Sequence, residues 1–119
     1  MMDKVFLDSD VILDIALDRK PFSSSAALVL SLCEAGGIEG YTSSIVFTNL
    51  YYILRKISGH SATIIFLKKL IRVVSVLGVD ESTIVEALAS DFADFEDAVQ
   101  YCSSARNGIG AILTRNTLD

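Results

Sequence analysis

Short apolar runs alternate along this chain with longer stretches whose apolar residues recur at helical spacing, and that alternation leaves few architectures open. Val5 to Asp8 reads as a strand, as do Glu39 to Thr42, Ser75 to Leu77 and Ala111 to Thr114. Between them lie helical segments at Asp10 to Leu17, Ser23 to Ala35, Ser43 or Ser44 to Ile57, and Ser61 to Val73. Two more follow, Ile84 to Ser90 behind an Asp80 cap and Phe95 to Arg106 behind Asp94. The Asp18-Arg19-Lys20-Pro21 turn, Gly36 and Gly108 act as stops. Strands that return through helices must run parallel, with helices covering the sheet. The expectation is an α/β fold: a central parallel sheet of about four to five short strands in three layers.

A chain of 119 residues makes one domain, and its 51% hydrophobic content is enough for a real core. The net charge of −5 argues against a protein that grips nucleic acid over a broad surface. It leaves room for a nuclease whose acids are neutralised by metal. No apolar run reaches the ~18 residues that span a bilayer, and no secretion signal stands at the start. Cys33 and Cys102 sit among small and apolar neighbours as packing thiols. The cytoplasm is the expected compartment, with no membrane partner. Leu118-Asp119 follows closely on the last strand, so a final C-terminal strand of the domain is expected to be missing.

In parallel α/β sheets, ligands bind beyond the carboxyl ends of the strands. Asp8 and Thr114 fall at such ends. Asp8, Asp10 and Asp14 crowd behind the first apolar run, and Asp91, Asp94, Glu96 and Asp97 form a second acidic cluster. Oxygen-only sites of this kind suit Mg2+ or Mn2+. Each acid also has an ordinary explanation. Asp8 can cap the helix that follows it, and Asp94 can cap its own, with first-turn acids offsetting the helix dipole. Ser9 and Asp10 compete for the first cap, which leaves Asp8 for metal. Asp97 should point toward the sheet edge that holds Asp8. Asp10 is a secondary candidate, and Asp14, one helical turn on, is expected at the surface.

Other arrangements are thin. His60 is the single histidine, so neither a Ser-His-Asp triad nor a zinc site can be assembled. Gly108-Ile109-Gly110 follows a helix and precedes a strand, the reverse of a dinucleotide fingerprint. Tyr51, Tyr52 and Tyr101 could stack on bases, but helical positions favour core or partner contact. Arg55, Lys56, Arg106 and Arg115 could meet phosphates or be solvated charge.

The ordered set of motifs resembles a PIN domain, in the style of the small stand-alone PIN proteins of bacterial toxin–antitoxin systems. Its carriers are Phe6-Leu7-Asp8-Ser9-Asp10-Val11-Ile12-Leu13-Asp14, then Ser43-Ser44-Ile45-Val46-Phe47-Thr48-Asn49-Leu50. Asp94-Phe95-Glu96-Asp97-Ala98 and Ile112-Leu113-Thr114-Arg115-Asn116 complete the series. The resemblance implies a Mg2+- or Mn2+-dependent ribonuclease that cleaves single-stranded RNA, with Asp8 as the family's first acid and Asp97 as its third. Asn116 matches a position often held by Asp, and Asp119 lies close enough to substitute for it. Glu96 and Asp10 are the additional candidate metal residues. The family's second acid, usually Glu, is here Asn49, an amide that can position water or substrate but brings no charge and should weaken metal binding. The resemblance also implies an antitoxin-like protein partner and homodimerisation.

Two alternatives stand beside it. Asn49 favours a weakened PIN fold kept for RNA or protein binding. Asp8-Ser9-Asp10-Val11, with Thr114 at a strand end, also imitates a haloacid-dehalogenase-type phosphatase. That family needs a lysine and further acids downstream, where only five residues remain.

Overall fold

The computed structural model describes residues 3–114. Ten elements follow in order: β1 (Lys4–Leu7), α1 (Ser9–Ala16), α2 (Phe22–Glu34), β2 (Glu39–Ser43), α3 (Ser44–Ser58), α4 (His60–Leu70), β3 (Val74–Leu77), α5 (Glu81–Leu88), α6 (Phe95–Arg106) and β4 (Ala111–Leu113). Among the described residues the four strands form one parallel sheet in the order β3-β2-β1-β4. Phe6 stands between Tyr41 and Ile112, and Leu7 pairs with Leu113. The chain winds outward from β1 through β2 to β3, then crosses back to lay β4 on the other side of β1. The winding therefore reverses between β1 and β4, and a crevice opens beyond their carboxyl ends.

Burial explains why β1 is central. Phe6 and Leu7 are fully buried, and around them pack Ile12 and Leu13 of α1, Val46, Leu50 and Leu54 of α3, and Leu67 and Leu70 of α4. A second, smaller cluster joins α5 to α6 through Ala87, Ala98, Val99 and Cys102, with Ile45 of α3 against it. Small side chains there let the two helices approach closely. Gly40 in β2 serves the same end, because a Cβ at that position would meet the Cys33 sulfur of α2 at 2.6 Å and Val74 of β3 at 3.2 Å.

The expected elements are present, with shifts at their ends. Ser43, rather than Ser44, caps α3, its hydroxyl accepting from the Val46 amide at 3.1 Å. Ser61 does not cap α4: the helix begins one residue earlier, after Gly59, whose positive φ of 84° makes the turn without a side-chain cap. The α3 stripe is narrower than its spacing implies. Val46, Leu50 and Leu54 are buried, whereas Ile53 and Ile57 are exposed among the described residues, Ile57 being 61% exposed. Among the described residues no helix is long and apolar enough to cross a membrane.

Candidate active site

The carboxyl edge of the sheet gathers three helix starts. α1 leaves the end of β1, α3 leaves the end of β2, and α6 runs back toward the beginning of β4. Asp8 occupies the joint between β1 and α1. Its amide donates to the Leu113 carbonyl of β4 at 3.1 Å, and the Leu7 carbonyl just before it accepts the buried Thr42 hydroxyl of β2 at 3.1 Å. Both neighbouring strands thus hold the backbone that carries Asp8. Its carboxylate also caps α1, accepting from the Ser9 amide at 2.6 Å. The capping and site roles are compatible, because a carboxylate has several lone-pair positions and the cap uses one oxygen.

Asp97 comes from the first turn of α6, whose cap is Asp94, accepting from the Asp97 amide at 2.9 Å. The Asp97 carboxyl sits above the ordinary aspartate value of 3.8, first through partial desolvation and then through the negative charges of Asp94, Asp8 and Asp10. The last two belong to the opposite end of the chain. Their influence means that the fold brings β1, the start of α1 and the start of α6 to one place. The two acidic clusters, separate in sequence, thus lie within electrostatic reach of each other.

Asn49 and Glu96 also meet, the Asn49 Nδ2 donating to Glu96 Oε2 at 2.8 Å. Sequence reading singled out both but not their bond, since 47 positions separate them and no periodicity links α3 to α6. Thr42 was missed altogether; its sole sequence signal is a hydroxyl in a short strand just before the helix cap. Asp14 corrects the expectation of a surface acid. It is 1% exposed and pairs with Arg19 at 3.3 Å, while its carbonyl accepts the Arg19 amide at 2.9 Å. The face of α1 that carries it is closed by α2 and the turn leading into it. Asn116, Asp119 and Arg115 lie outside the described residues.

The remaining candidates fall away from this edge. Arg106 is engaged with Glu86 at 3.5 Å. The Tyr51 hydroxyl meets the His60 ring nitrogen at 2.9 Å across the α3–α4 turn, and Tyr52 and Tyr101 are exposed. Burial pushes the thiols of Cys33 and Cys102 up, which leaves them packing groups as expected.

Among the described residues no three His, Cys, Asp or Glu side chains are disposed to hold a metal ion by themselves. The donors at the edge are nonetheless hard oxygens, and the mutual repulsion that raises Asp97 is what a divalent cation relieves. The PIN domain family model matches residues 4–118. This chain belongs to the PIN domain family. That membership sets aside the phosphatase alternative, whose order of motifs the chain lacks.

Ribonuclease VapC1 of Aquifex aeolicus (strain VF5) is 26% identical to this PIN domain over 119 residues, covering 96% of this chain and 82% of the relative. Solved structures show the same fold. The sarcin-ricin loop cleaving toxin VapC20 of Mycobacterium tuberculosis superposes with a TM-score of 0.71 at 19% identity, over 91% of this chain and 86% of the other. A chain of a toxin–antitoxin complex from Klebsiella pneumoniae gives 0.72 at 16% identity, over 97% and 88%.

Proposed function

We propose that this PIN domain is a divalent-metal-dependent ribonuclease that hydrolyses phosphodiester bonds of single-stranded RNA and acts as the toxin of a toxin–antitoxin pair. The observation that carries the reading is the position of Asp8, at the end of β1, and of Asp97, in the first turn of α6, at the sheet's carboxyl edge. Its kinship to a ribonuclease supports the reaction class. Asp8 and Asp97 are the proposed holders of a Mg2+ or Mn2+ ion, with Asp10 and Glu96 adding negative charge nearby and Asn116 and Asp119 as further donors. The ion would supply Lewis acidity and a water of lowered pKa.

The chain's own groups do the rest. Bonds to both neighbouring strands keep the backbone that carries Asp8 fixed relative to β2 and β4. Asp94, in capping α6, fixes the turn that presents Asp97. With a net charge of −5, the protein has little general hold on RNA, and the edge has to draw phosphate through its neutralised carboxylates.

The proposed partners follow from surface and kinship. Tyr52, Ile53 and Ile57 of α3 and Ile65 of α4 leave apolar area exposed. An antitoxin-like protein is the proposed cover, as the Klebsiella pneumoniae relative was solved in a toxin–antitoxin complex. Homodimerisation and a cytoplasmic location complete the proposal.

The test is metal-dependent cleavage of a single-stranded RNA by the purified protein. Asp8→Asn combined with Asp97→Asn should abolish it; turnover at the wild-type rate in that double variant would sink the assignment. Asn49 favours a second reading, a binding module with a weakened site. Millimolar Mn2+ decides between them: a rise in thermal stability supports the enzyme, and no shift supports the module.

A further inference from the structure

α6 carries more than the acids of its first turn. Asp97, Tyr101 and Ser104 stand at i, i+4 and i+7, the spacing that sets residues on one face of a helix. Tyr101 lies about 6 Å beyond Asp97 along the axis, and Ser104 about 10 Å beyond it. Both line a cavity of about 350 Å3 where α6 meets the strand that follows it, together with Ile109, Gly110 and Ile112. No lining side chain is charged. Tyr101 is 52% exposed, and Phe92 packs against its ring with centroids 5.3 Å apart, which steadies the ring and leaves it accessible. Ser104 is 1% exposed, and its hydroxyl has no hydrogen-bond partner among the described residues. A buried hydroxyl without a partner costs stability, and a ligand in the cavity would give it one. Gly110 keeps the cavity open, because a Cβ built there meets nothing within 4 Å.

We infer that this cavity takes a nucleobase of the RNA strand, stacked on Tyr101 and hydrogen-bonded to the Ser104 hydroxyl. An uncharged lining suits a neutral ring and offers nothing to a phosphate. The aromatic wall suits stacking, and a hydroxyl that both donates and accepts can meet the edge of any base. The volume is that of a small-ligand pocket rather than of a groove for a partner helix. A net charge of −5 leaves phosphate contacts little general affinity to give, so a hold on the bases has to make up for it. This rests on the ribonuclease reading and gives it a base subsite one helical turn from Asp97.

The test is nucleoside binding to the full chain in EDTA, with adenosine and uridine as probes and the NMR shifts of the Ser104 and Gly110 amides as the readout. These probes carry no phosphate and need no metal. Saturable shifts are expected at both amides. Tyr101→Ala should weaken binding about tenfold, and Tyr101→Phe, which keeps the ring, should retain most of it. Ser104→Ala should weaken it about threefold or more without lowering the melting temperature, since the hydroxyl it removes holds nothing in the fold. Gly110→Leu should block the cavity, again at an unchanged melting temperature. No saturable shift with either nucleoside, or full binding in Gly110→Leu, overturns the inference. If Gly110→Leu keeps nucleoside binding but changes the sedimentation of the protein, the cavity belongs to a protein contact instead. Cleavage separates the subsite from the underlying reading. RNA cut with an unchanged KM by Tyr101→Ala removes the subsite alone, whereas nucleosides bound here by a chain that leaves RNA intact remove the ribonuclease reading alone.

Discussion

At the scale of single residues, the site is a balance between stability and charge. Asp97 is held above the ordinary aspartate value by partial desolvation and by three neighbouring carboxylates. A carboxyl whose folded pKa is raised favours folding when protonated and opposes it when ionised. The cost is absent below the unfolded value of 3.8 and develops as pH rises through the raised folded value. Asp97→Asn, a neutral isostere, should therefore be more stable than wild type at pH 7 in EDTA, with the difference closing as pH falls toward 4. A pH series of melting temperatures checks this; a destabilised variant at pH 7 would contradict it. Asp80 is the opposite case, held low by the Thr83 amide and hydroxyl, so its contribution is present at neutral pH and fades on acidification.

Asp14 supplies a second residue-scale prediction. Its carboxylate is buried, whereas the Arg19 side chain is 38% exposed. Removing Arg19 takes the guanidinium away from a buried carboxylate, while removing Asp14 leaves a guanidinium that can still reach water. Arg19→Ala should thus cost about 1–3 kcal/mol, a value reduced from that of a fully buried pair by the solvent at the arginine. Asp14→Asn should cost less, and chemical denaturation measures both.

Among the secondary-structure elements, the caps and close approaches decide the outcome. Ser43 is fully buried and holds the first turn of α3, so Ser43→Ala should cost about 1–2 kcal/mol. The loss would also loosen the helix that presents Asn49. Gly40→Ala forces a methyl group toward Cys33 and Val74, and overpacking of that kind costs about 1–3 kcal/mol. Cys33→Ala opens the space the methyl needs, so the double variant should recover part of the loss; a strictly additive pair would refute the contact. These elements were legible in the chain. The α6 boundaries, Phe95 to Arg106, match the expectation because Asp94 caps one end and Gly108, at φ 71°, stops the other. The helix expected from Ser61 starts instead at His60, because a glycine turn at Gly59 opens it without any capping side chain.

For the whole molecule, the core rests on contacts that no local pattern announces. Leu50 is fully buried among β1, α1 and α3 residues, and Leu50→Ala should cost about 2–5 kcal/mol by creating a cavity at the centre of the sheet. Activity at permissive temperature should survive, since Leu50 does not belong to the carboxyl edge. The apolar stripe shows the limit of periodicity. Helical spacing alone puts Ile53 and Ile57 on one broad stripe with Val46, Leu50 and Leu54, but a helix packed on one side buries only part of it.

The sequence by itself determined the alternation of strand and helix, the parallel sheet and the strand-end position of Asp8, because apolar period and capping chemistry are local properties. It also yielded the two acidic clusters and the expectation that Asp97 faces the edge that holds Asp8. The tertiary structure decided the neighbours of individual side chains. Asp97 meets Asp8 and Asp10, Asp14 turns inward to Arg19, and Asn49 reaches Glu96. The reason is physical: charges and hydrogen bonds act through distance in space, and the reversal of winding between β1 and β4 brings the two ends of the chain to one edge.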